Sequence, residues 1–493
     1  MAKKGKAEKD VKSAKDVKEN KGTKNNGSSK LCGIFKCLLI STSVVAVIAS
    51  IAAYQVYAVI SYVPPMPKID LDEYWGPAGT EIKDTAIRPY RIVFTDSMQE
   101  EIRTLFELYR RNTQVVSLEK SAWTYGVNST DFATFMTNWI FEYSFRERAK
   151  FLNKFDHFKT RVQGLDLHYM HVKPDLQDKN IKVYPILLLH GWPGSIREFY
   201  EAIPKLTSVR DGYNFVFEVI VPSLPGFIYS EGATRPGLSP DKIAVIMRNL
   251  MHRIGHTKYY IQGGDFGHVI GSHMATIFPN EVLGFHTNYP ASFSKGALWL
   301  WALGGIWPSF VAEGVESRMY PLKKKAKFLM SESGYIHLQS TKPDTIGIAL
   351  QDSPVGLAAY MVDRFMVLTD PKNRKKSMGG LNKHYSLEKL FDNIMLYWDS
   401  KSITTAMRLY KESVRANEVQ QALFSIPTPV PTWALRMKFD LIQHSDFILR
   451  WKYPNLVGST NLATGGHFAA FEKPKSFADD VFKAVNSFLK FKK

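Results

Sequence analysis

Residues 259–272 read Tyr-Tyr-Ile-Gln-Gly-Gly-Asp-Phe-Gly-His-Val-Ile-Gly-Ser, and they constrain this chain more than any other stretch. An apolar, β-prone segment runs into two glycines, one acid, a third glycine and a helix-forming tail. That layout makes a sharp strand-to-helix turn that lifts a single side chain above a parallel sheet. Glycines flank the raised position because the turn is strained and its backbones pack too closely for a Cβ. The raised residue here is Asp265. A carboxylate so placed would attack an alkyl carbon and leave an ester on the protein itself. Gly-Gly-Asp-x-Gly also occurs in ordinary surface turns, so the reading stands or falls on the rest of the chain.

The surroundings have the rhythm such a turn requires. Val162 to His171 alternates like a strand, and Val183 to Leu189 is a nearly continuous apolar run, as a buried parallel strand should be. A second buried run, Phe217 to Val221, precedes a helix with Ser239 as cap, Pro240 in its first turn, and Ile243, Ile246, Met247, Leu250 and Ile254 on one face. This helix delivers the chain to the turn at Asp265. The rhythm implies an α/β fold with a mostly parallel, doubly wound sheet, whose ligands sit at the carboxyl ends of the strands. Residues 159–290 form the first part of that core. Residues 291–428 are rich in Trp, Tyr, Met and Phe at helical spacing and read as an inserted helical cap. Residues 429–493 resume the core with strands near Pro429 to Leu435 and Leu456 to Leu462, then a final helix, Ala478 to Leu489.

Ahead of the core, residues 64–158 read as a helical subdomain, with helices expected over Met98 to Arg110 and Ser129 to Tyr143. Residues 1–36 carry eleven lysines against Glu8, Asp10, Asp16 and Glu19 and read as a disordered tail. Leu38 to Val63 then contains no charge, so residues 37–63 are expected to be a single uncleaved transmembrane anchor. The net charge of +18 is partly this tail and otherwise dispersed in short runs such as Lys323-Lys324-Lys325. No nucleic-acid module surrounds those runs, so solvated faces or anionic lipid are the expected partners. The two cysteines, Cys32 and Cys37, lie at the edge of the anchor, which excludes a disulfide framework or thiolate metal site in the globular part.

A hydrolase of this fold has nucleophile, acid and histidine in that chain order. Asp265 is followed by two acids near the penultimate strand, Asp440 and Asp446, and by His467 in the loop after the last one. Position alone leaves both acids open. His190-Gly191-Trp192-Pro193, directly after a strand, can aim backbone amides at an oxyanion. Pro193 has no N–H, which leaves the amide of Trp192 together with that of Phe266, the residue after Asp265.

Trp123-x-Tyr125-Gly126-Val127, the His190–Ser195 turn, Gly263–Gly267, Gly334-Tyr335-Ile336-His337, Asp352–Tyr360, Tyr410-Lys411-Glu412 and Gly465–Glu472 occur in order along the chain. With these stretches it resembles the microsomal-type epoxide hydrolases of the α/β-hydrolase superfamily, a group that includes juvenile-hormone epoxide hydrolases. The resemblance runs from the anchor to the C-terminus. It implies Asp265 as nucleophile, His467 as general base, and Asp440 as the acid orienting it. It also implies Tyr410 and Tyr335 as proton and hydrogen-bond donors to the epoxide oxygen. Phe266 departs from the Trp common after the nucleophile, which changes the pocket wall and leaves the backbone amide in place. No metal or organic cofactor is implied.

The expected partners are a lipophilic epoxide, membrane lipid and water; arene and alkene oxides, fatty-acid epoxides and terpenoid hormones all qualify. A haloalkane dehalogenase would share Asp265 and His467 but needs side-chain N–H donors for the halide, which Phe266 does not supply. A catalytically silent, membrane-anchored lipid-binding protein is the alternative from another class, and such proteins usually lack one of the catalytic groups. The resemblance implies an endoplasmic-reticulum membrane with the domain in the cytosol, whereas charge counting around the anchor puts the domain in the lumen. The sequon Asn128-Ser129-Thr130 reports on the difference.

Overall fold

The computed structural model describes residues 27–79, 84–112, 115–415 and 417–491. The chain separates into two compact units, with the boundary between Ser61 and Tyr62. The first holds helix α1, Gly27–Ser61, in which Phe35–Ser61 is long and apolar enough to cross a bilayer. Residues 27–36, expected to belong to a disordered tail, are therefore helical. Once an apolar helix has nucleated, each further residue adds a hydrogen bond for the ordering of one residue. The rest of that tail, residues 1–26, lies outside the described residues.

The second unit is built on a nine-stranded sheet. Its strands are β1 (Ile87–Tyr90), β2 (His157–Val162), β3 (Leu165–Val172), β4 (Lys182–Leu189), β5 (Phe215–Pro222), β6 (Tyr259–Gly263), β7 (Val282–Thr287), β8 (Thr432–Arg436) and β9 (Leu456–Asn461). They lie in the order β1-β2-β3-β5-β4-β6-β7-β8-β9. The first three pairings are antiparallel and the remaining five parallel. In β4 the last four residues, Ile186 to Leu189, have no exposed surface, because the strand is covered on both faces.

Strand β1 and the start of β2 fall within the segment expected to be wholly helical. Ile-Arg-Pro-Tyr is too short to show a clear period of two, and Pro89 is tolerated because β1 is an edge strand. The helices of that segment do form, α2 over Asp96–Asn112 and α3 over Ser129–Phe141. Helix α4, Pro240–Ile254, follows β5, and α5, Phe266–Ile277, follows β6. Ser239 does precede α4, but its hydroxyl bonds the Asp241 carboxylate instead of a helix amide.

Among the described residues, the stretch between β7 and β8 contains helices and no strands. Those that matter below are α6 (Lys295–Leu303), α7 (Leu322–Glu332), α8 (Gly334–Thr341), α9 (Pro354–Thr369), α10 (Leu387–Ser400) and α11 (Ile403–Val414). The closing helix α12, Pro474–Lys490, lies along β7, β8 and β9.

The cap is tied to the core by buried polar contacts. Asp392 on α10 accepts hydrogen bonds from Arg197 at 2.7 Å, from Arg148 at 2.9 and 2.6 Å, and from Tyr143 at 3.0 Å. One carboxylate thus joins the cap, the turn after β4 and the N-terminal helices. Beside it, Asn393 donates to the Pro193 carbonyl at 2.8 Å and Tyr397 to that of Gly194 at 2.7 Å.

Candidate active site

Of the candidate groups all but Asp446 converge above the carboxyl ends of β4 and β6, the crevice where the winding of the sheet changes direction. Asp265 sits between β6 and α5 with φ 50° and ψ −127°, a backbone conformation that a non-glycine residue holds only under constraint. Close packing provides the constraint. A Cβ on Gly267 would stand 2.1 Å from the Leu189 carbonyl oxygen, and one on Gly191 would stand 2.2 Å from Asp265 Oδ1. The bare backbones of these two residues let the acid tuck against the turn after β4.

The Trp192 amide donates to Asp265 Oδ1 at 3.0 Å, and the adjacent Phe266 amide also favours the ionised carboxylate. The other oxygen, Oδ2, faces His467 Nε2 at 3.3 Å. On the far side of the imidazole, Nδ1 meets Asp440 Oδ1 at 2.7 Å. The Asp440 side chain has no exposed surface, and its Oδ1 also accepts the Leu441 amide at 2.7 Å. Asp446 is elsewhere: it accepts from Arg436 at 2.6 Å and from Ser459 at 3.0 Å, so it anchors β8 and β9.

These contacts set the charges. Burial would raise the Asp265 pKa, but the His467 hydrogen bond and charge and the two amides outweigh it and hold the carboxyl below its ordinary value. For His467, burial alone would lower the pKa; the Asp440 charge and hydrogen bonds to both carboxylates push it well above the ordinary value. The resting site is therefore an imidazolium between two carboxylates.

The cap supplies the opposite wall. Tyr335 on α8 stacks on Trp192 with ring centroids 5.4 Å apart, and Tyr410 on α11 meets Trp192 edge-on at 5.8 Å. The two rings meet edge-on with centroids 6.1 Å apart, and burial with the nearby Asp265 charge raises the pKa of both. They are protonated donors at neutral pH. Phe266 packs at 4.7 Å against the Tyr410 ring, so its side chain forms the wall behind that phenol.

Sequence reasoning missed several neighbours. Glu198, Asn288, Asp265 and His467 border a closed cavity of about 10 Å³, about the space one water molecule needs, and neither tyrosine lines it. Burial pushes the Glu198 carboxyl up to about 8 despite the opposing His467 charge. A lone acid in Ile196-Arg197-Glu198-Phe199, just after the turn, was the available signal. Asn288 donates to the His467 carbonyl at 3.3 Å and accepts from Gln262 at 2.7 Å. Glu472, also pushed up to about 8 by burial, receives the amides of Gly466 and Phe468 and so fixes the His467 loop. Arg364 on α9 lies over the Tyr335 ring, 4.9 Å from its centroid. A larger cavity of about 440 Å³, lined by Arg235, Asp344, Arg408 and Arg415 among others, touches none of the reacting groups. The candidate groups therefore gather at the small cavity and the tyrosine wall, not at the larger cavity.

Comparison with known proteins agrees with this geometry. The family profile described as "Epoxide hydrolase N terminus" matches residues 87–199, and that described as "alpha/beta hydrolase fold" matches residues 184–314. Juvenile hormone epoxide hydrolase of Bombyx mori is 46% identical over 448 residues, covering 90% of this chain and 96% of that protein. Epoxide hydrolase 1 of Sus scrofa is 36% identical over 449 residues, covering 88% and 97%. The crystal structure of the Bombyx mori enzyme superposes with a TM-score of 0.83 over 86% of this chain and 99% of its own. The Aspergillus niger epoxide hydrolase, 24% identical with a TM-score of 0.64 over 85% and 100%, shares the fold. With relatives this similar over nearly their full length, and a carboxylate on the strained turn, the chain belongs to the microsomal-type epoxide hydrolases of the α/β-hydrolase fold.

Proposed function

We propose that this enzyme converts lipophilic epoxides to vicinal diols with Asp265 as nucleophile, His467 as base, Asp440 as its orienting acid, and Tyr335 and Tyr410 as donors. The observation that carries this reading is the division of labour on Asp265. Oδ1 rests on the Trp192 amide at 3.0 Å, while Oδ2 is turned toward His467 at 3.3 Å.

Oδ2 attacks an epoxide carbon, the ring C–O bond breaks, and its electron pair stays on the oxygen. Tyr410 and Tyr335 hydrogen-bond that oxygen and supply its proton. Oδ1 becomes the carbonyl oxygen of an ester. With the Asp265 charge gone, the imidazolium releases its proton, which makes good the one the tyrosine gave up. Neutral His467 then takes a proton from water in the small cavity, and the hydroxide adds to the ester carbon. The oxyanion forms on Oδ1, where the Trp192 amide already donates, with the Phe266 amide as the second donor. Collapse expels the diol alkoxide, which takes the proton from His467. The Asp265 carboxyl, now carrying one oxygen from water, then passes its proton to His467, which restores the carboxylate and the imidazolium.

A single turnover in heavy-oxygen water with enzyme in excess over styrene oxide tests this. Unlabelled diol with label in Asp265 is the expected result. Label entering the first diol directly would mean attack by water on the epoxide.

The substrate class follows from the aromatic wall of Trp192, Tyr335, Tyr410 and Phe266 and from the relatives. Higher identity to enzymes named for juvenile hormone than to Epoxide hydrolase 1 favours a long terpenoid epoxide over a small arene oxide. Comparing kcat/KM for juvenile hormone and styrene oxide decides it. The Phe35–Ser61 helix supports a single-pass anchor, and family likeness supports the endoplasmic reticulum as its membrane. Resistance to alkaline carbonate extraction from microsomes tests the anchoring. A glycosidase-sensitive mass shift abolished by Asn128→Gln would put the domain in the lumen.

A further inference from the structure

Helix α6 is apolar on more than one side. Ala297, Leu300 and Trp301 face a small core of their own with Val311, Met319 and Ile448. Leu298 and Trp299 point the other way and are 44% and 56% exposed. The turn beyond the helix adds Ile306 at 86%, Trp307 at 60% and Phe310 at 52%, and Phe447 adjoins them at 46%. The rings are continuous, with centroids 5.3 Å apart for Trp307 and Phe310 and 5.6 Å for Phe310 and Phe447. A water-facing helix carries one apolar stripe, and a contiguous apolar surface of this kind marks a contact site.

Basic residues rim this knob. Gly305 abuts Leu322, so α7 begins at its edge and presents Lys323 and Lys324 to solvent there. Lys295 and Arg450 are exposed beside α6 and Phe447, while Glu313 and Glu316 are the acids of the same region. Protein interfaces are depleted in lysine, whereas tryptophan and aliphatic side chains ringed by lysine suit the boundary between lipid headgroups and acyl chains. The globular unit starts at Tyr62, directly after the candidate span, so chain continuity alone keeps it at a bilayer surface.

We propose that the knob around Trp299, Ile306 and Trp307 inserts into the interfacial layer of the bilayer as a second membrane contact. The inference rests on the anchored reading above. The segment leading into α6 carries Tyr289, whose ring lies 5.5 Å from that of His467. A knob seated in lipid thus brings the bilayer, where a lipophilic epoxide accumulates, to the elements that border the site.

The test uses the full chain with Cys32→Ser and Cys37→Ser, carrying one fluorophore at Val47→Cys, Ile306→Cys or Tyr125→Cys. Each protein is reconstituted into phosphatidylcholine vesicles doped with phosphatidylserine and titrated with acyl-chain nitroxide lipid. Quenching at positions 47 and 306, with none at position 125 (82% exposed), is the expected result. Quenching at 47 without quenching at 306 overturns the inference and leaves the anchor standing. No quenching at 47 removes the anchored reading and this inference with it. A label at 306 shielded from aqueous iodide yet indifferent to lipid nitroxide would assign the knob to a protein partner and overturn the proposal. As a functional readout, Trp299→Ser with Trp307→Ser raises KM severalfold for an epoxide delivered in vesicles, leaving kcat and KM for dissolved styrene oxide unchanged.

Discussion

Asp265 Oδ2 and His467 Nε2 face each other at 3.3 Å, a carboxylate against an imidazolium. Forming the ester removes the Asp265 charge, and with it one of the two anions that hold the proton on His467. The imidazole then gives up its proton more readily, so it becomes a base when an ester is present for it to serve. His467→Gln should therefore still form the ester, about one equivalent per site, while turnover falls by about 100- to 10,000-fold. Intact-protein mass spectrometry after mixing with epoxide checks this.

The two stages should also respond differently to pH. Ester formation needs the Asp265 anion, whose pKa lies below the ordinary carboxylate value, so its rate should be flat through the neutral range and fall only in acid. Ester hydrolysis needs neutral His467, and in the ester the Asp440 charge and hydrogen bond still favour the imidazolium, so its rate should climb with pH. Asp440→Asn removes an anion that favours the imidazolium and moves this limb to lower pH, with a slower plateau from lost orientation. Rapid-quench kinetics across pH separates the stages.

Tyr335→Phe or Tyr410→Phe removes one donor to the opening oxygen. A hydrogen bond to a charged group contributes about 1.5–3 kcal/mol, so ester formation should slow by about 10- to 100-fold for either change. Hydrolysis of an ester already formed should not slow. A variant that hydrolyses the ester slowly yet forms it at the normal rate would reverse the assignment.

Asp392 is a stability determinant. Its side chain has no exposed surface, and it neutralises Arg197, itself 1% exposed, as well as Arg148. Asp392→Ala leaves buried Arg197 with only the Glu201 carboxylate at 3.0 Å and takes away the partner of Arg148, and should cost about 3 kcal/mol. The loss should appear as a lowered denaturant midpoint. Tm falls with it, and the Pro193–Gly194 turn held by α10 loosens.

Glu198 and Glu472 should make the protein less stable as pH rises. Each keeps a proton to about 8 in the folded state, against 4.5 for an ordinary glutamate. Between those values the native state binds more protons than the unfolded chain, so stability declines with increasing pH. Glu198→Gln and Glu472→Gln should flatten that decline, which chemical denaturation at pH 5, about 6.5 and about 8 would measure.

Much of the fold was legible because its strongest signals are local. The buried runs of β4 and β5, the Pro240 start of α4 and the glycines around Asp265 each announce themselves within a few residues. The order of Asp265 and His467 along the chain followed from the fold, and Asp440 could be separated from Asp446 only by likeness or by coordinates. β1 was hidden because a four-residue edge strand with a proline has no readable period. Glu198, Asn288 and Arg364 were hidden because their significance is a distance to residues far away in the chain. The Asp392 network shows the same limit, since its partners Tyr143, Arg148 and Arg197 lie some two hundred or more residues before it.

The inserted cap has a consequence for how such an enzyme changes over time. The proposed ring-opening donors, Tyr335 and Tyr410, ride on the insertion, whereas Asp265, His467, Asp440 and the two amides lie in the segments that follow the core strands β6, β9, β8 and β4. Selection on which epoxide enters, and on which carbon is attacked, can thus act on the cap while the ester-cleaving apparatus stays untouched. The Asn393 and Tyr397 contacts to the Pro193–Gly194 turn are the seam where the two histories must stay in register.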